Sequence, residues 1–389
     1  GGGGASTFLD LTDTPSSYSG YAKYSPMVKD DETGLAWQSF ADMELESRTI
    51  YVDADNGSDT TGDGSESNPF QTYEKALSTV RNAIADGVTI TIFLKAATNP
   101  YTWVDTSRLC AGSGLLKIQG EMNVLVSGTV DSATNTTLTD TGAFGTNDYS
   151  GKLIHITGGT GAGQWRVIDS NTADQVTVCG VWETTPDSTS TYEIVDWGTE
   201  FSGTVQPGNG RIEFELVKMP KCGPTAVRLD ITCDRCSLEQ YAPVDGSEYI
   251  RGIFDTCSFY TSAQQGCFRT DGKGVGTYVF RRCRLKMSGI NYVVVYAKGA
   301  GHYFLIERGT VIDGGGAASY GIKVALAHAR LFCQQTNGVW DKNTIRNNSV
   351  GLRVEAGGKA TFTGTTYNTY SGNSTDREAD TGTYSWYAN

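Results

Sequence analysis

Four acids recur at one place in a repeated six-residue pattern, Asp234, Asp255, Glu307 and Asp341, and a second column follows them as Arg235, Thr256, Arg308 and Lys342. Two carboxylates roughly 5–10 Å apart could hydrolyse a glycosidic bond. A carboxylate base with cationic support could instead serve lyase chemistry. Arg281 interrupts the acidic column and Arg282 continues the basic one, so the two read better as a ladder that neutralises itself on a solvated face. Such ion-pair networks shift titration without catalysing anything. Asp313 and Asp271 precede glycines in turns, where Asp serves local hydrogen bonding. His155, His302 and His328 have no motif partner, and no Ser/His/Asp or metal-ligand spacing appears.

Aromatic residues are the stronger functional sign. Trp165, Trp182 and Trp197 lie near Arg166, Glu183 and Asp187, and these six are the candidate glycan-binding residues. A Trp face can pack on a sugar ring while polar neighbours take its hydroxyls. The simpler alternative is that Trp165 and Trp182 fill the core of a small unit with few other large apolar side chains. Cys233 and Cys236 form a CxxC, but no second pair follows at zinc spacing. No metal and no cofactor is expected. The acidic loop with Asp53, Asp55, Asp59 and Asp63 departs from the EF-hand spacing and reads as a turn rather than a calcium site.

The elements that must position these residues follow from the repeat. Cys233–Leu238, Phe254–Phe259, Phe280–Leu285, Ile306–Val311 and Trp340–Ile345 fit one template, whose fourth position is Cys236, Cys257, Cys283, Gly309 and Asn343. Intervals of 21, 26, 26 and 34 residues indicate units that bury a core only by stacking. Thiols stacked at about 4.8 Å would have parallel rather than convergent side chains, which favours buried free cysteines over disulfides. Second strands of the coils are expected at Ala226–Leu229, Gly266–Phe268, Tyr292–Val295, Gly321–Val324 and Gly351–Val354.

Upstream, Tyr73, Ala76, Leu77, Val80, Ala83 and Ile84 fall on one helical face, predicting a helix over about 72–85 that caps the first coil. Segments around 151–157, 164–168, 175–178 and 191–195 alternate as antiparallel strands and break the rhythm of the coils. The turn Gly158–Gly163 joins two of them and lacks the ending of a phosphate-binding loop. The expected fold is mainly β: a right-handed, single-stranded parallel β-helix with an N-terminal capping helix and a small inserted antiparallel β module. Its expected divisions are an attachment segment at 1–47, cap and first rungs at 48–126, the inserted module at 127–197, and the β-helix continuation at 198–389.

Composition excludes some partners. A formal charge of −12 over 389 residues argues against nucleic acid and against anionic lipid. No apolar run is long enough to insert in a membrane. The start, Gly1-Gly-Gly-Gly, has no signal-peptide pattern and no initiator Met, which predicts a piece of a longer chain or a processed one.

With these residues in view, the chain resembles bacteriophage tail spikes and tail fibres of the pectate-lyase-like β-helix type. The segment Phe8–Gly20 is similar to a short motif of phage tail proteins, Ile50–Asp53 through Asn68-Pro69-Phe70 resembles the cap of such β-helices, and Gly159–Gln164 sits in a module similar to one in phage structural proteins. The resemblance implies a virion location after assembly in the host cytoplasm, a homotrimer, and contacts with other virion proteins through residues 1–47. The expected function is structural attachment and host-surface glycan recognition, without catalysis. The alternatives are a depolymerase of capsule or lipopolysaccharide, acting as a hydrolase or lyase, and a purely structural collar or head appendage.

Overall fold

Successive coils stack strand on strand, all in parallel, in this computed structural model of the chain. The described residues are 24–28, 35–39 and 43–388, except 106, 227, 244–248, 263–265, 271–274, 289–292, 333, 337–338, 356, 363–367 and 381–385. The tail-motif segment Phe8–Gly20 therefore lies outside the described residues, as does most of 1–47.

One sheet of eleven parallel strands runs the length of the β-helix, from Arg48–Val52 to Trp386–Ala388. Within it Cys233, Phe254, Phe280, Ile306 and Leu331 are in register, as are Asp234, Asp255, Arg281, Glu307 and Phe332. Five successive strands turn through a left-handed residue into the second sheet: Leu216, Arg235, Thr256, Arg282 and Arg308, with φ of 58°, 54°, 52°, 51° and 55°. A non-Gly residue in that region costs roughly 1–2 kcal/mol, so the same corner on successive coils must be held by packing and ion pairs on either side.

The residue after the corner points inward. Cys236, Cys257, Cys283 and Asn343 are fully buried there, in line with the template. The fourth member differs from expectation. Arg284 pairs with Val311, which puts Thr310, not Gly309, beside Cys283. Gly309 is an extra corner residue with φ of 70°, and a Cβ on it would fall 2.2 Å from the Cα of Gly180. The described cysteines are all free. The ladder thiols bond to carbonyls of the coil below, Cys257 to Cys233 O at 3.1 Å and Cys283 to Phe254 O at 3.3 Å. Asn343 donates to Ile306 O and Phe332 O at 3.1 Å and accepts from Thr310 N at 3.1 Å, closing the ladder with a satisfied amide.

Two further differences have physical causes. The template also holds one coil earlier, as Phe214-Glu215-Leu216-Val217-Lys218-Met219, where a Leu occupies the corner. In the fifth template Asn343 keeps its inward place beside Thr310, and Thr344 and Ile345 stay in register. The residues before them do not, because the antiparallel hairpin Gln334–Thr336 with Val339–Asp341 is inserted there. Phe332 takes the acidic column's place, and Asp341 moves onto the hairpin. Of the second strands, Phe268, Val295, Ile322 and Leu352 do stack, whereas Arg228 and Leu229 open a strand of the first sheet.

The cap helix is shorter than predicted, Tyr73–Ser78, with the Thr72 hydroxyl accepting from Lys75 N. Ala83–Ile84 pairs instead as a strand with Met43–Glu44 and Leu109–Cys110. The apolar spacing is satisfied in either form, since Tyr73, Ala76, Leu77, Val80 and Ile84 are all buried. In the acidic loop, Asp53 accepts from Asn56 N, Asp63 from Ser65 N, and Asp59 from Gln71 N and Thr72 N. Those carboxylates organise turns and the start of the helix.

Strand Leu115–Gly120 pairs directly with Gly210–Glu215, Ile118 beside Phe214. Residues 122–197 leave the coil and build a seven-stranded antiparallel sheet with its own core, in which Phe144, Ile156, Ile168, Trp182 and Tyr192 are buried, and the chain rejoins the coils at Phe201–Ser202. Its outgoing and returning ends are bonded to each other, Gly198 N to Glu121 O at 2.9 Å.

Candidate functional site

The module does not stand free of the β-helix. Leu153, Val167, Cys179, Val195 and Trp197 of the module pack with Leu216 and Val311 of the coils in a separate apolar cluster. The left-handed Leu216 is thus covered, which explains an apolar residue at that corner. Trp197 Nε1 donates to Arg235 O at 2.7 Å. Deeper in the seam, Asp169 accepts from Arg346 at 2.7 and 2.9 Å and from Arg284 at 3.4 Å, with Arg346 also on Asp313 at 3.0 Å.

A cleft of about 430 Å³ opens at one margin of this seam. The module supplies Gln164, Trp165, Arg166 and Glu183, and the corner column supplies Asp234, Arg235, Thr256 and Arg282. The Trp165 ring is stacked on His155 at 3.9 Å, and the Arg235 guanidinium lies 5.1 Å from its centroid. Arg235 bonds Asp234 at 2.6 Å and also reaches Glu215. Arg282 bonds Asp255 at 2.7 Å and Glu183 at 2.8 Å. The ladder is therefore self-neutralising as expected, but it runs beneath the module's edge and is not a freely solvated face.

Burial pushes the Asp234 carboxyl up to about 6, against the pull of Arg235. Burial and the Arg235 charge push His155 below its ordinary value, keeping it neutral beside Trp165. Asp341, displaced onto its hairpin, is 3% exposed and accepts from Val181 N at 3.2 Å. Burial pushes it up to about 6 despite Arg166, Arg282 and Arg308. A carboxyl raised in the folded state favours folding below its unfolded value of 3.8, and that contribution fades as pH rises through about 6. Asp341→Asn keeps the acceptor for Val181 and removes the charge, so its melting temperature should exceed wild type at pH 8 and match it at pH 4. Thermal melts across that range check this, and an equal offset at both pH values would contradict it.

Of the six sequence candidates, Trp165, Arg166 and Glu183 meet at this cleft. Arg166 is 2% exposed and acts mainly as a strut, its Nε donating to Val181 O at 3.0 Å. Trp182 is 2% exposed inside the module core, which removes it as a sugar platform. Trp197 lies in the seam, and Asp187 is turned outward, accepting from Thr189 N at 2.8 Å. The partners from the corner column were visible in the sequence only as a charge ladder. Only the docking of the module shows that they wall a cleft.

No protein-family model matches the chain, and no curated protein does. Among solved structures, one described as a glycoside hydrolase is 9% identical, with 87% of this chain and 96% of that chain covered and a TM-score of 0.27. The tailspike gp61 of Pseudomonas phage phi297 is 12% identical over 77% of this chain and 67% of that one, with a TM-score of 0.21. The tailspike gp49 of Acinetobacter baumannii bacteriophage Fri1, described as a capsular polysaccharide depolymerase, is 12% identical over 90% and 64%, with a TM-score of 0.23. The β-helix assignment rests on the strand pairing above, and these likenesses add no chemistry to it.

Proposed function

We propose that this chain is a bacteriophage virion spike that recognises a host surface glycan in the corner cleft and binds it without cleaving it. The observation that carries this reading is the pairing of the carboxylates lining the cleft: Asp234 is held by Arg235 and Glu183 by Arg282. Carboxylates fixed in this way offer acceptors, and the guanidinium groups donors, for sugar hydroxyls. Hydrolysis would need one acid and one uncommitted carboxylate at a set separation. In this reading residues 1–47 attach the spike to the particle, three copies assemble, and the β-helix holds the cleft outward.

The test is incubation of the full chain with host capsule or lipopolysaccharide, followed by sizing of the polymer and measurement of retention. Unchanged polymer that is retained, with retention several-fold weaker for Glu183→Gln, is the expected result. A second reading is favoured by Asp234, whose raised value of about 6 suits a general acid near neutrality. Shortened polymer that stays intact with Asp234→Asn would establish that reading and remove the first.

A further inference from the structure

A second surface lies at the opposite margin of the long parallel sheet, where its strands begin. Two clefts of about 220 and 600 Å³ share Arg211 and Asp230 there and form one groove across several coils. Arg211, Asp230 and Arg251 are in register on successive strands, so a guanidinium recurs on every second rung of this stretch. Arg228 starts the next column, beside Tyr249, which is 41% exposed.

These arginines are differently placed from those of the corner. Arg211 has only a long contact to Asp230, at 3.8 Å with both side chains more than a third exposed. Arg228 and Arg251 are exposed and make no ion pair among the described residues. Glu213, the other acid lining the groove, is taken by Lys117 at 3.0 Å. On a chain of net charge −12 this is a local reversal of sign, held on rigid strands. Guanidinium forks bind carboxylate, sulfate or phosphate oxygens in pairs and are less strongly hydrated than ammonium groups. Exposed cations of this kind contribute little to stability. Nucleic acid carries a charge on every nucleotide and needs a broad basic face, which three arginines on alternate strands do not supply.

We propose that this groove binds an anionic polysaccharide, with Arg211, Arg228 and Arg251 on its charged groups and the Tyr249 ring against a sugar face. The site is separate from the corner cleft and shares with the preceding proposal only the premise that the partner is a glycan.

Binding of hexagalacturonate, of a sulfated dextran oligomer and of neutral maltohexaose to the full chain tests it by calorimetry at low and high salt. The expected result is that one or both anionic probes bind and maltohexaose does not. Affinity should fall at least tenfold in the double variant Arg228→Gln/Arg251→Gln and fall steeply with salt. Both side chains are exposed, so folding is preserved, and equal melting temperatures verify this. Glu183→Gln should leave this binding unchanged. Failure of both anionic probes to bind, equal affinity in the double variant, or stronger binding of a single-stranded DNA oligomer would each overturn the proposal. Loss of anionic binding with Glu183→Gln alone would assign it to the corner cleft and leave the groove without a role. Retention of host glycan that persists in the double variant would keep the corner-cleft reading standing whatever happens to this one.

Discussion

Asp169→Ala is expected to loosen the side module from the β-helix and expose Cys179 to a thiol reagent under native conditions. Asp169 is the shared partner of Arg284, which is 3% exposed, and Arg346. Removing one partner of a buried pair leaves the other charge uncompensated and costs about 3–5 kcal/mol. The loss falls on the seam, because the module keeps its own core around Trp182 and the coils keep theirs. Cys179 is fully buried in the seam cluster, whereas Cys236, Cys257 and Cys283 lie inside the coils. Mass spectrometry after brief alkylation should therefore find Cys179 modified and the other three intact. The corner cleft would open at the same time, so on the proposed glycan-binding reading retention should fall in the same variant. Cys179 protected as in wild type would mean that the apolar contacts with Leu216 and Val311 suffice alone.

The second large effect is expected from Phe268→Ala. Phe268 is fully buried where the coil interior is most aromatic: its ring is stacked 4.9 Å from Tyr241 and edge-on to Phe280 at 5.0 Å and Tyr278 at 5.1 Å. Truncating a core Phe costs about 3–5 kcal/mol, through lost transfer energy and an unfilled cavity. In a stacked array each coil depends on its neighbours. Hydrogen exchange should accelerate first in strands Tyr249–Asp255 and Val275–Arg281 and least near the cap. A uniform acceleration along the whole chain would show that the array unfolds as a single unit.

Much of the scaffold was legible because a coil interior is narrow. The inward residue after each corner must be small, or polar and fully bonded, so Cys236, Cys257, Cys283 and Asn343 marked the register from sequence alone. Gly309 misled because it satisfies the same pattern while serving a different need, the close approach of Gly180. The template at Leu216, inside the stretch expected to be β-helix, was missed for a related reason: its corner residue is apolar only because the module covers it. The site was half legible. Trp165 and Glu183 could be named, but Trp182 reads the same in sequence whether it faces a core or a ligand. Joining Glu183 to Arg282 across 99 residues requires the docked module.

The bonded ends of the module, Gly198 to Glu121, bear on how such a chain could diversify. A segment that leaves and returns at one point can be exchanged by recombination without altering the register of the coils on either side. The scaffold's folding and the chemistry of the module's surface are then inherited separately. A transplanted segment would need only to cover Leu216 and Val311 and to offer an acid to Arg284. A lineage could thus acquire a new side surface in one genetic step, while the long sheet beneath it stays the same.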